Sequence, residues 1–90
     1  MTRDERIRRG ESAQQLLNNP IALAALDDVQ ADCFKAWADS NPSDLEAREF
    51  AYKLYLSVKL LRGKLGSWAG DARVEIINSD ARKREAAALN

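Results

Sequence analysis

The sequence predicts an all-α protein: a helical hairpin preceded by an N-terminal helix, with a long third helix and a short polar C-terminal helix or tail. Three observations lead there. Two Asn-Pro dipeptides, Asn19-Pro20 and Asn41-Pro42, place a capping acceptor before a residue whose φ is already helical, so each reads as a helix start. From Ala47 to Ala72, apolar residues recur at alternating steps of four and three, the seven-residue repeat of helices packed side by side. No stretch alternates with period two over a useful length, so no strand is expected. The 90 residues make a single domain, residues 1–90. Area scaling lets a chain of that size bury about 64% of its unfolded surface, a real but small core.

The first helix is expected over residues 2–18. Ile7, Gly10, Ala13, Gln14 and Leu17 share one side loosely, and Arg3 and Arg6 intrude on it, so its amphipathicity is weak. The second is expected over residues 20–39, where Ala22, Leu26, Val29, Cys33, Ala36 and Trp37 form an apolar stripe with Leu23 and Phe34 beside it. Asp28, Asp32 and Asp39 lie opposite, which makes the solvent side of this helix acidic.

The third helix is expected over residues 43–69, with Ser43 and Glu46 as a possible capping box one register later than Asn41-Pro42. Its stripe runs through Ala47, Ala51, Leu54, Val58, Leu61, Leu65, Trp68 and Ala72, widened by Phe50 and Ile76. A second apolar set, Leu45, Tyr52, Leu56 and Leu60, points about 180 to 200 degrees away. The first two helices can cover one of these faces more easily than both, which leaves the other for another copy or a different protein. Gly63, Gly66 and Gly70 each cost about 1 kcal/mol inside a helix, so an end or kink is expected near Gly70. Beyond it, residues 71–90 read as helical or frayed.

Composition removes several classes of function. Fourteen basic and fourteen acidic side chains give zero formal charge, without the basic excess usual in nucleic-acid domains. There is no His, and Cys33 is the only thiol, so a His-based acid/base pair, a four-ligand zinc site and a disulfide scaffold are all excluded. No metal ligand set, cofactor site or catalytic residue is expected, and the chain is read as a non-enzyme. The segment Gly63-Lys64-Leu65-Gly66-Ser67 has the composition of a phosphate loop without its residue order or a preceding strand. No apolar run is long enough to span a membrane, and the charged start MTRDERIRRGE is not followed by the apolar block of a secretory signal. A reducing, cytoplasmic setting fits the single free Cys.

The binding candidates are of two kinds. Tyr52, Leu56 and Leu60 form the unpartnered apolar face, and Trp68, a bulky ring among glycines, can dock into a protein partner. Arg48, Lys59, Arg62 and Arg73, with Tyr55 among them, lie along one flank of the third helix. Such a flank can meet phosphates or pair with the acidic side of the second helix, and the second use is the favoured one.

Several short segments resemble a group of small bacteriophage-encoded helical proteins of unassigned role, found with genes for virion assembly. These are Arg9-Gly10-Glu11, Ala13, Leu16-Leu17, Asn19-Pro20, Ala36-Trp37, Ser40, Pro42, Asp44, Ala47-Arg48-Glu49 and the Leu-rich helix with Lys59 and Leu61, covering residues 9–66. The resemblance brings no catalytic residues. It implies a viral origin, work through binding, and a location in the host cytoplasm or the virion. The expected partner is another copy, giving a homo-oligomer, or a larger phage or host protein. The alternatives are a nucleic-acid-binding packaging or regulatory factor and an inhibitor of a host defence or host enzyme.

Overall fold

The computed structural model describes residues 1 to 89 and holds three helices, α1 (Arg3–Leu17), α2 (Pro20–Asp39) and α3 (Leu45–Leu89), with no strand among the described residues. Asn90, the last position of the expected tail, lies outside them. At 1.5 Å per residue, the 45 residues of α3 make a rod of about 67 Å. Its partners run the other way: Arg6 meets Glu75, Gly10 meets Trp68 and Ala72, Asp27 meets Arg62, and Ser40 meets Arg48. Hence α1 and α2 lie end to end, antiparallel to α3, and barely touch each other. The three helices form a hairpin with one broken arm, two helices thick and 72 × 24 × 19 Å in extent. A radius of gyration of 19.7 Å, against about 12 Å for a compact chain of this length, expresses the same geometry.

Each boundary has a local cause. Thr2 caps α1, its hydroxyl accepting from the Glu5 amide at 3.2 Å and donating to the Glu5 carboxylate at 3.0 Å. The Asn19 side chain accepts from the amides of Ile21 and Ala22, and Pro20 occupies the first helical position, as the dipeptide predicts. The second Asn-Pro behaves differently. Asn41 Oδ1 accepts from both the amide and the hydroxyl of Ser43 and so closes a turn, and Asp44 becomes the cap by accepting from the Ala47 amide at 3.1 Å. The third helix therefore starts at Leu45, two residues later than expected.

The break in the first arm sets which side of α2 is buried. Arg3, Arg6, Gly10, Ala13 and Leu17 of α1 face α3 at steps of three and four. In α2 the facing residues are Leu23, Leu26, Gln30, Cys33, Trp37 and Ser40, again at three and four. Leu17 and Leu23 are six positions apart where a continuous repeat needs seven, a phase error of about 100° in an unbroken helix. The Asn18-Asn19-Pro20 joint absorbs it. As a result Val29 and Ala36, expected in the α2 core stripe, sit on its exposed flank, and Trp37 is 37% exposed.

The end or kink expected near Gly70 does not occur. α3 runs unbroken through Gly63, Gly66 and Gly70, and no glycine has positive φ. Packing overrides propensity there: α1 covers Ala69 and Ala72, and Arg3 and Arg6 hold Glu75 at 3.3 and 3.2 Å. A Cβ on any of these three glycines would meet open space, so none of them serves a close approach. That role belongs to Gly10 of α1, where a Cβ would collide with Ala72 Cβ and the Trp68 carbonyl oxygen. The last ten residues of α3, Asp80–Leu89, extend past the start of α1 and are exposed.

Among the described residues the buried hydrophobic ones are Ala13, Ala51, Ala69 and Ala72, and no large side chain is fully buried. Small residues let α1 and α3 approach closely but remove little apolar area, whereas one fully buried Leu contributes about 1.5–3 kcal/mol. Gly10→Val is expected to lower the unfolding free energy by about 2 kcal/mol through overpacking. Gly66→Ala, into open space, is expected to raise it by about 1 kcal/mol; urea melts followed by circular dichroism check both.

Candidate interaction surface

The arginines clip the rod together. Arg62 Nη1 donates to Asp27 Oδ1 at 2.6 Å and to Gln30 Oε1 at 2.7 Å, joining α3 to α2 at mid-length. The Arg48 guanidinium lies 4.7 Å over the Trp37 ring and donates to the Ser40 hydroxyl at 3.3 Å, closing the hairpin end. The Arg9 guanidinium lies 4.4 Å over Trp68, so α1 partly covers that ring. Of the basic residues on the α3 flank, Arg48 and Arg62 are thus engaged with α2, while Lys59 and Arg73 are exposed.

Off the contact line, exposed apolar residues of α2 and of the first half of α3 gather on three surfaces. On the far side of α3, away from α1 and α2, Leu60 is 73% exposed and Leu56 is half-buried, while Tyr52, 53% exposed, stands between this side and α2. Leu56 and Leu60 line a shallow hollow there with Lys59, Gly63, Lys64 and Ser67. On one flank, Phe34, Trp37, Tyr52 and Tyr55 line an aromatic groove with Cys33 at its base. The opposite flank holds a groove between Asp32, Cys33 and Ala36 of α2 and Ala47, Phe50, Ala51 and Leu54 of α3.

The heptad extends that last flank. Leu61 follows Leu54 by seven residues, and Val29 precedes Ala36 by seven. Phe50, Leu54 and Leu61 are 66%, 44% and 53% exposed. Their spacing predicts Leu54 and Leu61 in the seam, and the structure leaves both largely exposed. The stripe of alternating fours and threes is wide enough for one apposed helix to cover only part of it, and α2 lies over Ala51, Tyr55, Val58 and Arg62. The signal that could have found this flank is Gln30: a polar residue at a seam spacing in α2 faces an arginine, and Arg62 then marks the covered side of α3.

Among the described residues no group of three or more His, Cys, Asp or Glu side chains could hold a metal ion, and no helix is long and apolar enough to cross a membrane. Compared with protein families, with curated proteins and with solved structures, the chain matches none of them. Its surface therefore has to be read by its own chemistry. Removing the mid-rod clip with Arg62→Met is expected to lower stability by about 1 kcal/mol, because Asp27 is largely exposed and the pair is partly screened. Thermal melts at low and high salt check this, with a smaller difference between wild type and variant at high salt.

Proposed function

We propose that this chain is a small helical interaction protein that acts by binding, through self-association or by docking on a larger assembly. One observation carries the proposal. α3 bears large apolar side chains around its circumference, and α1 and α2 cover a single side of it. Leu56 and Leu60 on the far side of α3, with Tyr52 beside them at the edge of the aromatic groove, form the docking face, with Lys59 and Lys64 at its border to fix register against a partner. Trp68 adds a partly covered ring toward the α1 end.

The resemblance to phage-encoded helical proteins points to a virion or packaging assembly as the larger partner, and to the host cytoplasm or virion as its place of work. Binding without catalysis is the reading of a chain that lacks His and carries one thiol. Nucleic-acid binding ranks below protein binding, since Arg48 and Arg62 already serve α2. Changing Leu56 and Leu60 together to Asp is expected to leave helicity by circular dichroism unchanged and to abolish capture of a phage or host protein from infected-cell lysate. Unaltered capture by this variant would remove the far side of α3 from the proposal.

A further inference from the structure

We infer that the flank bearing Phe50, Leu54 and Leu61 of α3 and Val29 of α2 is covered by a second copy of this chain, related by a two-fold axis parallel to the rod. The inference rests on the binding role proposed above and names one partner and the face it uses. Three observations lead to it.

The first is area. The chain exposes 6884 Å². A compact monomer of 10.0 kDa exposes about 5,200 Å². The excess, about 1,600 Å², is roughly twice the ~800 Å² that each partner contributes to a stable interface. A second copy can therefore occupy one flank and still leave the far side of α3 open.

The second is the makeup of the flank. Large apolar residues run along its middle, drawn from two helices that already hold each other in place. Across the contact line, by contrast, the aromatic groove is edged by Arg48 and by the Arg62–Asp27 pair, charges already committed within the chain. A surface preformed on two rigid elements loses little conformational freedom on pairing.

The third is charge. Along the flank, the α2 border carries Asp28, Asp32 and Asp39 with Lys35 among them, and the α3 border carries Lys53 and Lys64 with Glu46 one heptad before Lys53, so the first is net acidic and the second net basic. Lys53 has only Glu49, one turn before it on its own helix, and the other charges of the two borders make no ion pair among the described residues. Two copies can meet across this flank in two ways. Turned about an axis across the rod, α2 lies on α2 and the aspartates face their own images. Turned about an axis along the rod, α2 of each copy lies on α3 of the other and the acidic border meets the basic one. The second arrangement is self-complementary, as a two-fold interface requires, and makes every neighbouring pair of helices antiparallel, a four-helix bundle along α2.

Sedimentation of the full chain tests the pairing and its geometry. The wild type is expected to sediment as a dimer, L54D/L61D to lose the dimer, and L56D/L60D to keep it. Should L54D/L61D unfold instead, the charges decide. D28K/D32K is expected to weaken the dimer about tenfold, and K53E/K64E added in the same chain to restore it, because acid and base have then exchanged borders. A wild-type monomer would overturn the inference, and so would a dimer that withstands D28K/D32K or is not rescued by the four-fold exchange. A monomer that still captures a phage or host protein through Leu56 and Leu60 leaves the proposed function standing, whereas a monomer that captures nothing ends both.

Discussion

The contact between two antiparallel helices governs everything else in this molecule. In a rod two helices thick there is one line along which side chains are enclosed from several directions, and the described residues buried on that line are alanines and a glycine. Gly10 and Ala13 of α1 lie against Trp68, Ala69 and Ala72 of α3, and Ala51 lies under α2. Small residues bring the backbones close and so fix the geometry, but each buried methyl removes little apolar surface from water. Leu17, Leu23, Leu26 and Tyr55 on the same contact are only half-buried, and Phe50, Leu54, Leu60 and Leu61 stand beside it, where a third helix would have to reach them. No third helix does, because α1 and α2 are spent end to end on the length of α3.

Charge makes up part of what apolar burial does not supply, in a particular way. Arg3 and Arg6 on Glu75, Arg62 on Asp27 and Gln30, and Arg48 on Trp37 and Ser40 are spread along the rod from one end to the other. Each is partly exposed and contributes on the order of 1 kcal/mol or less. Their greater effect is on register: sliding α2 by one turn along α3 would part Arg62 from both of its acceptors at once. A guanidinium reaches such paired oxygens better than an ammonium does, which fits arginine rather than lysine at these clips.

Much of this was legible in the amino-acid sequence. The helical class, the start of α2 at Pro20 and the seven-residue repeat of α3 follow from local chemistry: a cap, a proline and the spacing of apolar residues. Other features depend on contacts distant in the chain. The helix passes through Gly70 because α1, sixty residues earlier in sequence, packs over that segment, and propensity carries no record of it. Leu54 and Leu61 share their spacing with truly enclosed residues such as Ala51 and Ala72, and only the position of α2 separates the two sets. The exposure of Leu60 was readable from angle alone, since it lies half a turn from the repeat, whereas Tyr52 stands beside α2 at the aromatic groove.

If a second copy covers the flank as inferred above, the chain draws part of its stability from that pairing. Association that favours the folded state makes the thermal midpoint rise with protein concentration. Thermal melts of the full-length chain over a hundredfold range of concentration are therefore the most direct measurement. A midpoint that climbs steadily with concentration is the predicted result; a reversible, cooperative transition whose midpoint does not move would contradict it, since the rod would then be stable alone with its apolar sides in water.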